Sequence, residues 1–132
     1  MKLRLTKPKL TEKRSSVRLN IEIPVTYCEM RRKFWPFKRR GVLKEGLVRK
    51  PSMYGLRLCG NDAFTEGQKF EINAQLNQVG LGEACTIRGL IVWTRFNPKT
   101  GKYEAGMELF DTGKGMILWK RAVIAKLRTL DN

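Results

Sequence analysis

Arg14 and Arg18 stand four positions apart around Ser15-Ser16-Val17, just ahead of a stretch in which Leu19, Ile21, Ile23, Val25 and Tyr27 take every second place. A guanidinium is planar, permanently charged, and donates in pairs to phosphate or to a purine edge. Such a pair ahead of a strand suits an anionic ligand. Further along, Lys50-Pro51-Ser52-Met53-Tyr54-Gly55 sets a serine and a glycine three positions apart in a turn between two apolar stretches. That turn can bring the Ser52 hydroxyl and backbone amides onto one face as an anion cradle. Gly55 supplies either a positive backbone angle or a close backbone approach. Each pattern alone is weak in so basic a chain, where such spacings recur by chance. Their order along the chain is what gives them weight.

Charge and composition agree with an anionic partner and exclude most chemistry. The chain has 27 Lys and Arg against 12 Asp and Glu, a formal net charge of +15. A field of that sign attracts phosphates, nucleic acid or anionic membrane, and says nothing about the fold. With 132 residues, 42% hydrophobic and 30% charged, the sequence reads as one soluble globular domain. Histidine is absent, which removes the commonest general base and the commonest metal ligand. No HExxH, Walker loop or GxGxxG occurs, and the carboxylates are scattered without a spacing suited to acid–base work. The expectation is a binding protein with no catalytic residues, metal or cofactor. The three cysteines include no CxxC, and Cys28 and Cys59 lie in or at the end of apolar stretches, as ordinary core or edge thiols do. MKLRLTKPKL breaks its apolar residues with charges, and no apolar run approaches the roughly 20 residues of a membrane span. A cytoplasmic, reduced protein is expected.

The elements that must position these residues follow from periodicity. Residues 1–12 form a basic arm and 13–132 a single domain. Residues 18–27 alternate as a first strand, with Pro24 on the polar face, which suggests an edge or a bulge. CEMRRKFWPFKRRG, 28–41, is a long connection. Short strands are expected at 41–50, 54–60, 69–76, 84–96 and 102–111, with a Gly-punctuated turn at 77–83 and a hairpin signal at Asn97-Pro98-Lys99-Thr100-Gly101. The period then changes: Met116, Trp119, Val123, Leu127 and Leu130 recur every three or four residues, which predicts a helix over 114–130. Its stripe is core packing or, failing that, a helical dimer contact. Short strands at turn-marked intervals with one terminal helix make a mainly β protein, a six-stranded antiparallel barrel with a C-terminal α-helix.

At this point the sequence resembles the PilZ domain family, whose members show RxxxR just before the first barrel strand and [D/N]xSxxG at a later turn. Here the first motif is RSSVR and the second KPSMYG. GLIVWTRF, 89–96, resembles the family's strand with an apolar-Val-Trp core, and YEAGMELF, 103–110, its final Gly-containing strand. The resemblance covers roughly residues 11–112. It implies a split barrel that is a receptor for cyclic di-GMP, a bacterial second messenger, and that signals to a protein partner by changing conformation. On this reading Arg14 and Arg18 close over the ligand, and Ser52 and Gly55 form its platform. Lys50 departs from the family pattern of Asp or Asn, whose side-chain oxygen accepts from the guanine edge. Lysine has three donors and no acceptor, so it cannot play that role, and a reach to a phosphate would offset only part of the loss.

Two further readings stay open at the level of sequence. One is a degenerate barrel that binds a protein partner without nucleotide, with Lys50 marking the lost ligand. The other, less favoured, is a basic nucleic-acid-binding barrel in which charge and stacking on Trp35 or Tyr54 dominate. The loop RRKFWPFKRR, 31–40, carries Phe34, Trp35 and Phe37 between basic flanks. It is suited to a partner or to peripheral contact with an anionic membrane. Equally, its aromatics can pack back on the barrel while the charges stay solvated.

Overall fold

The computed structural model describes residues 18–30, 42–110 and 113–130. Its strands are β1 (Glu22–Glu29), β2 (Lys44–Arg49), β3 (Gly55–Gly60), β4 (Lys69–Ala74), β5 (Cys85–Asn97) and β6 (Lys102–Leu109). A turn of 3-10 helix, Leu76–Val79, joins β4 to β5, and helix α1 (Lys114–Leu130) follows β6. The strands close into an antiparallel barrel in the order β1-β2-β3-β6-β5-β4. Closure leaves no open sheet edge to protect.

Alternation decides what faces inward. Ile23, Val25 and Tyr27 of β1, Val48 of β2, Leu56 and Leu58 of β3, and Phe70 and Ile72 of β4 fill the interior with Ile87 and Ile91 of β5 and Met107 of β6. The first strand begins later and ends later than the period suggests. Leu19 is buried, but its N–H donates to the Pro51 carbonyl at 2.8 Å, off the sheet. At the other end Cys28 and Glu29 still pair with Glu71 and Phe70. Pro24 marks neither a bulge nor a free edge. Its carbonyl accepts from the Gln75 N–H at 3.0 Å, so its missing N–H points to the same side, just past Ala74, where the β1–β4 ladder ends.

Met116, Trp119, Ala122 and Val123 of α1 join the barrel's own core, so the helical stripe is core packing. Gly115 permits the approach: a Cβ there would collide with the Thr86 carbonyl of β5. All three cysteines are buried and free of disulfides. Burial pushes the Cys85 thiol up to about 11, which leaves it protonated and unreactive.

Candidate functional site

The turn between β2 and β3 is tied down on every side. The Ser52 N–H donates to the Gly55 carbonyl at 2.8 Å. The Ser52 hydroxyl accepts from the Gly55 N–H and donates to the Gly55 carbonyl, each at 3.1 Å. Trp119 Nε1 of α1 donates to the Ser52 carbonyl at 2.8 Å, and Leu109 N–H of β6 donates to the Tyr54 carbonyl at 2.9 Å. Ser52 is only 3% exposed, so its hydroxyl braces the turn from within.

Gly55 is required for close approach and not for a positive backbone angle. A Cβ there would lie 2.9 Å from the Met107 carbonyl, whereas the left-handed residue of the turn is Lys50, with φ 51°. Among the described residues Lys50 is the one non-glycine with positive φ. Asn and Asp tolerate that region best, because a short polar side chain can hydrogen-bond its own backbone there. The backbone thus keeps a shape suited to the Asp or Asn of the family pattern, while the residue present is lysine. Its ammonium reaches back to Asn20 Oδ1 at 3.4 Å, across to the segment that follows Arg18.

Beside this turn lies an open cleft of about 470 Å³. Arg18, Ser52, Tyr54 and Gly55 line one side, and Trp93, Gly106 and Met107 the other. Arg18, Ser52 and Gly55, distant in sequence, therefore meet in one place. Lys50 is not among the lining residues. Arg14, and Phe34, Trp35 and Phe37 of the basic loop, lie outside the described residues.

Trp93 is displaced from the position the sequence suggests. A register shift between Ile91 and Trp93 leaves Val92 facing outward and sets Trp93 as well on the barrel's outer wall, opposite Gly106, instead of in its core. The indole lies so close over Gly106 that any Cβ there would collide with it. The Arg57 and Arg95 guanidiniums sit 5.4 and 5.7 Å from its ring centre.

Beneath the arginines is Glu104, 1% exposed, which accepts from Arg95 Nε at 2.7 Å and Asn97 Nδ2 at 3.2 Å. Arg49 Nη1 approaches it at 3.7 Å. Burial pushes the Glu104 carboxyl up, but the hydrogen bonds from Asn97 and Arg95 and the charges of Arg95 and Arg57 outweigh it and hold the carboxyl below its usual range. Arg57 Nε is buried with no hydrogen-bond partner among the described residues. The net result is a cationic cluster around one indole, joined to the cleft through Trp93. Sequence reading missed it: alternation places Arg57 outward but puts Trp93 and Arg95 on the face of Ile91, and only the register shift turns both of them out beside Arg57.

The arrangement can hold a planar, anionic molecule. Among the described residues no three His, Cys, Asp or Glu side chains gather as a metal site, and no helix is long and apolar enough to cross a membrane.

No protein-family model matches the sequence, and no curated protein matches it significantly. Solved structures do match in fold. The PilZ domain of CeSA from a cellulose-synthesizing bacterium superposes with a TM-score of 0.51 at 14% identity, over 87% of this chain and 98% of that one. The PilZ domain of YcgR from Escherichia coli, solved with c-di-GMP, gives a TM-score of 0.49 at 12% identity, over 83% and 91%. The CeSA likeness at that identity speaks for architecture alone. The chain has a PilZ-like fold, a closed six-stranded barrel with one C-terminal helix.

Proposed function

We propose that this protein is a non-enzymatic, cytoplasmic receptor for cyclic di-GMP, which binds in the cleft beside the 50–55 turn. The observation that carries the reading is the convergence of Arg18, Ser52 and Gly55 on one cleft walled by Trp93. Arg18, joined by Arg14 from the segment before β1, clamps the phosphates in bidentate fashion. The Ser52–Gly55 turn forms the floor, with Ser52 bracing it from below. A guanine packs against the Trp93 wall of the cleft, where the Arg57 guanidinium lies over the indole ring. Closure of the RSSVR segment over the nucleotide changes the surface that a protein partner reads. Lys50 favours a second reading, a barrel that binds its partner without nucleotide, because it supplies no acceptor for the guanine edge.

Calorimetric titration of cyclic di-GMP against linear GMP and GTP tests the proposal. The cyclic dinucleotide should bind selectively, with a shallow salt dependence; sequence-tolerant nucleic-acid binding would fall steeply with salt. Arg18→Ala should lower affinity at least tenfold and leave the melting temperature unchanged, since Arg18 is exposed. No binding by the parent chain would hand the cleft to the nucleotide-free reading. Unchanged affinity in Arg18→Ala would remove the RSSVR segment from the site.

A further inference from the structure

Helix α1 has a second face, which the barrel does not use. Met116, Trp119, Ala122 and Val123 are buried against the core. Opposite them, Lys114, Ile117, Arg121 and Ile124 are exposed, at successive spacings of three and four residues that keep them on one stripe. Ile117 is 55% exposed and Ile124 38%. The sequence of α1, KGMILWKRAVIAKLRTL, contains no carboxylate at all. At 1.5 Å per residue the helix spans about 25 Å. It thus presents a rod-like, wholly cationic face set with two isoleucines, on a chain whose net charge is already +15.

We infer that this outer face of α1 docks the protein on an anionic lipid surface, with Lys114 and Arg121 at the headgroup phosphates and Ile117 and Ile124 in the shallow interface. Charge complementarity selects the occupant. A second copy of α1 brings the same cations and is repelled. A close-packed partner helix needs a continuous apolar seam, and here a cation interrupts the two isoleucines. Nucleic acid would use the cations but has no use for exposed isoleucines. A lipid interface accepts both: it draws basic side chains electrostatically and takes up small apolar groups without demanding register. Because the opposite face of α1 stays in the core, the contact is peripheral and needs no unfolding. It is independent of the nucleotide reading, since none of these residues lines the cleft.

The test is co-sedimentation of the full chain with phosphatidylcholine vesicles, with and without about one part in three phosphatidylserine. Binding should require the anionic lipid and fall with salt. Lys114→Gln and Arg121→Gln should each lower partitioning roughly fivefold, the share of one cation at the surface. Lys99→Gln, on the exposed β5–β6 turn, makes the same change in net charge and should lower it much less. The double variant Ile117→Ser/Ile124→Ser should also weaken binding, with circular dichroism and thermal melting confirming that each variant is folded. The proposal fails if anionic vesicles do not bind, or if Lys99→Gln weakens binding as much as Arg121→Gln. It also fails if the serine variant partitions like the parent while binding to duplex DNA responds to the arginine changes, which would assign the face to nucleic acid. Saturable binding to a Glu-rich helical peptide without vesicle binding would assign it to an acidic protein partner.

Discussion

Lys50 is the residue where backbone and side chain disagree. Its φ of 51° is a conformation that costs most side chains roughly 1–2 kcal/mol, and Asn and Asp less. Lys50→Asn should therefore raise stability by up to about 1 kcal/mol, read as a higher midpoint in chemical denaturation. The exposed contact from Lys50 to Asn20, at 3.4 Å, is too long and too solvated to offset that gain. Under the nucleotide reading the same variant supplies the missing acceptor. Affinity should then rise roughly tenfold, since a net hydrogen bond to a base edge is worth about 1–3 kcal/mol. The two measurements are separable. A lower midpoint would show the Asn20 contact to be dominant, and a higher midpoint with weaker nucleotide binding would make Lys50 itself a ligand contact.

At the scale of elements, α1 and the 50–55 turn are one unit, because Trp119 Nε1 holds the Ser52 carbonyl from inside the core at 0% exposure. Trp119→Phe keeps a ring in the core but leaves that carbonyl without its donor, a loss of about 1–3 kcal/mol. Chemical denaturation should report it. The variant should also weaken cyclic di-GMP, although Trp119 does not line the cleft, because the loosened turn must be ordered again on binding. A stability loss with unchanged affinity would reduce α1 to a cover for the core and uncouple it from the site.

For the whole molecule, the outer-wall cluster ties four neighbouring strands of the barrel together around one buried carboxylate. Arg49 belongs to β2, Arg57 to β3, Glu104 to β6, and Trp93 and Arg95 to β5. Glu104 sits below its usual range of 4.5 when folded, so protons favour the unfolded chain. Its contribution is fully present above the unfolded value and is lost as pH falls below about 4.5 toward the lower folded value. Melting temperature should accordingly drop across that acidic window. Glu104→Gln, already neutral, should be less stable at pH 7 and show a flatter profile below 4.5. Equal slopes in the parent and the variant would place the acid sensitivity in other carboxylates.

How much of this was legible depends on the range of the interactions involved. Side-chain alternation and helical period are local, so Ile23 to Tyr27, Phe70 to Ala74 and Met116 to Leu127 announced their elements, and 114–130 came out as a helix with those bounds. That Arg18 comes to lie beside the 50–55 turn agrees with the order of the two motifs along the chain. The shape of the turn was not legible. That Gly55 is needed for a neighbour's carbonyl, and that the positive φ falls on Lys50, depends on where β6 lies against β3. Trp93 is the clearest case. By alternation it shares the core face with Ile91, yet one register shift against β6 moves the indole outside, over Gly106 and beside two arginines from different strands. Local periodicity thus determined which residues could face inward. Strand order and register, which sum weak preferences over residues far apart in sequence, decided which outward residues meet and hence where the candidate site's wall stands.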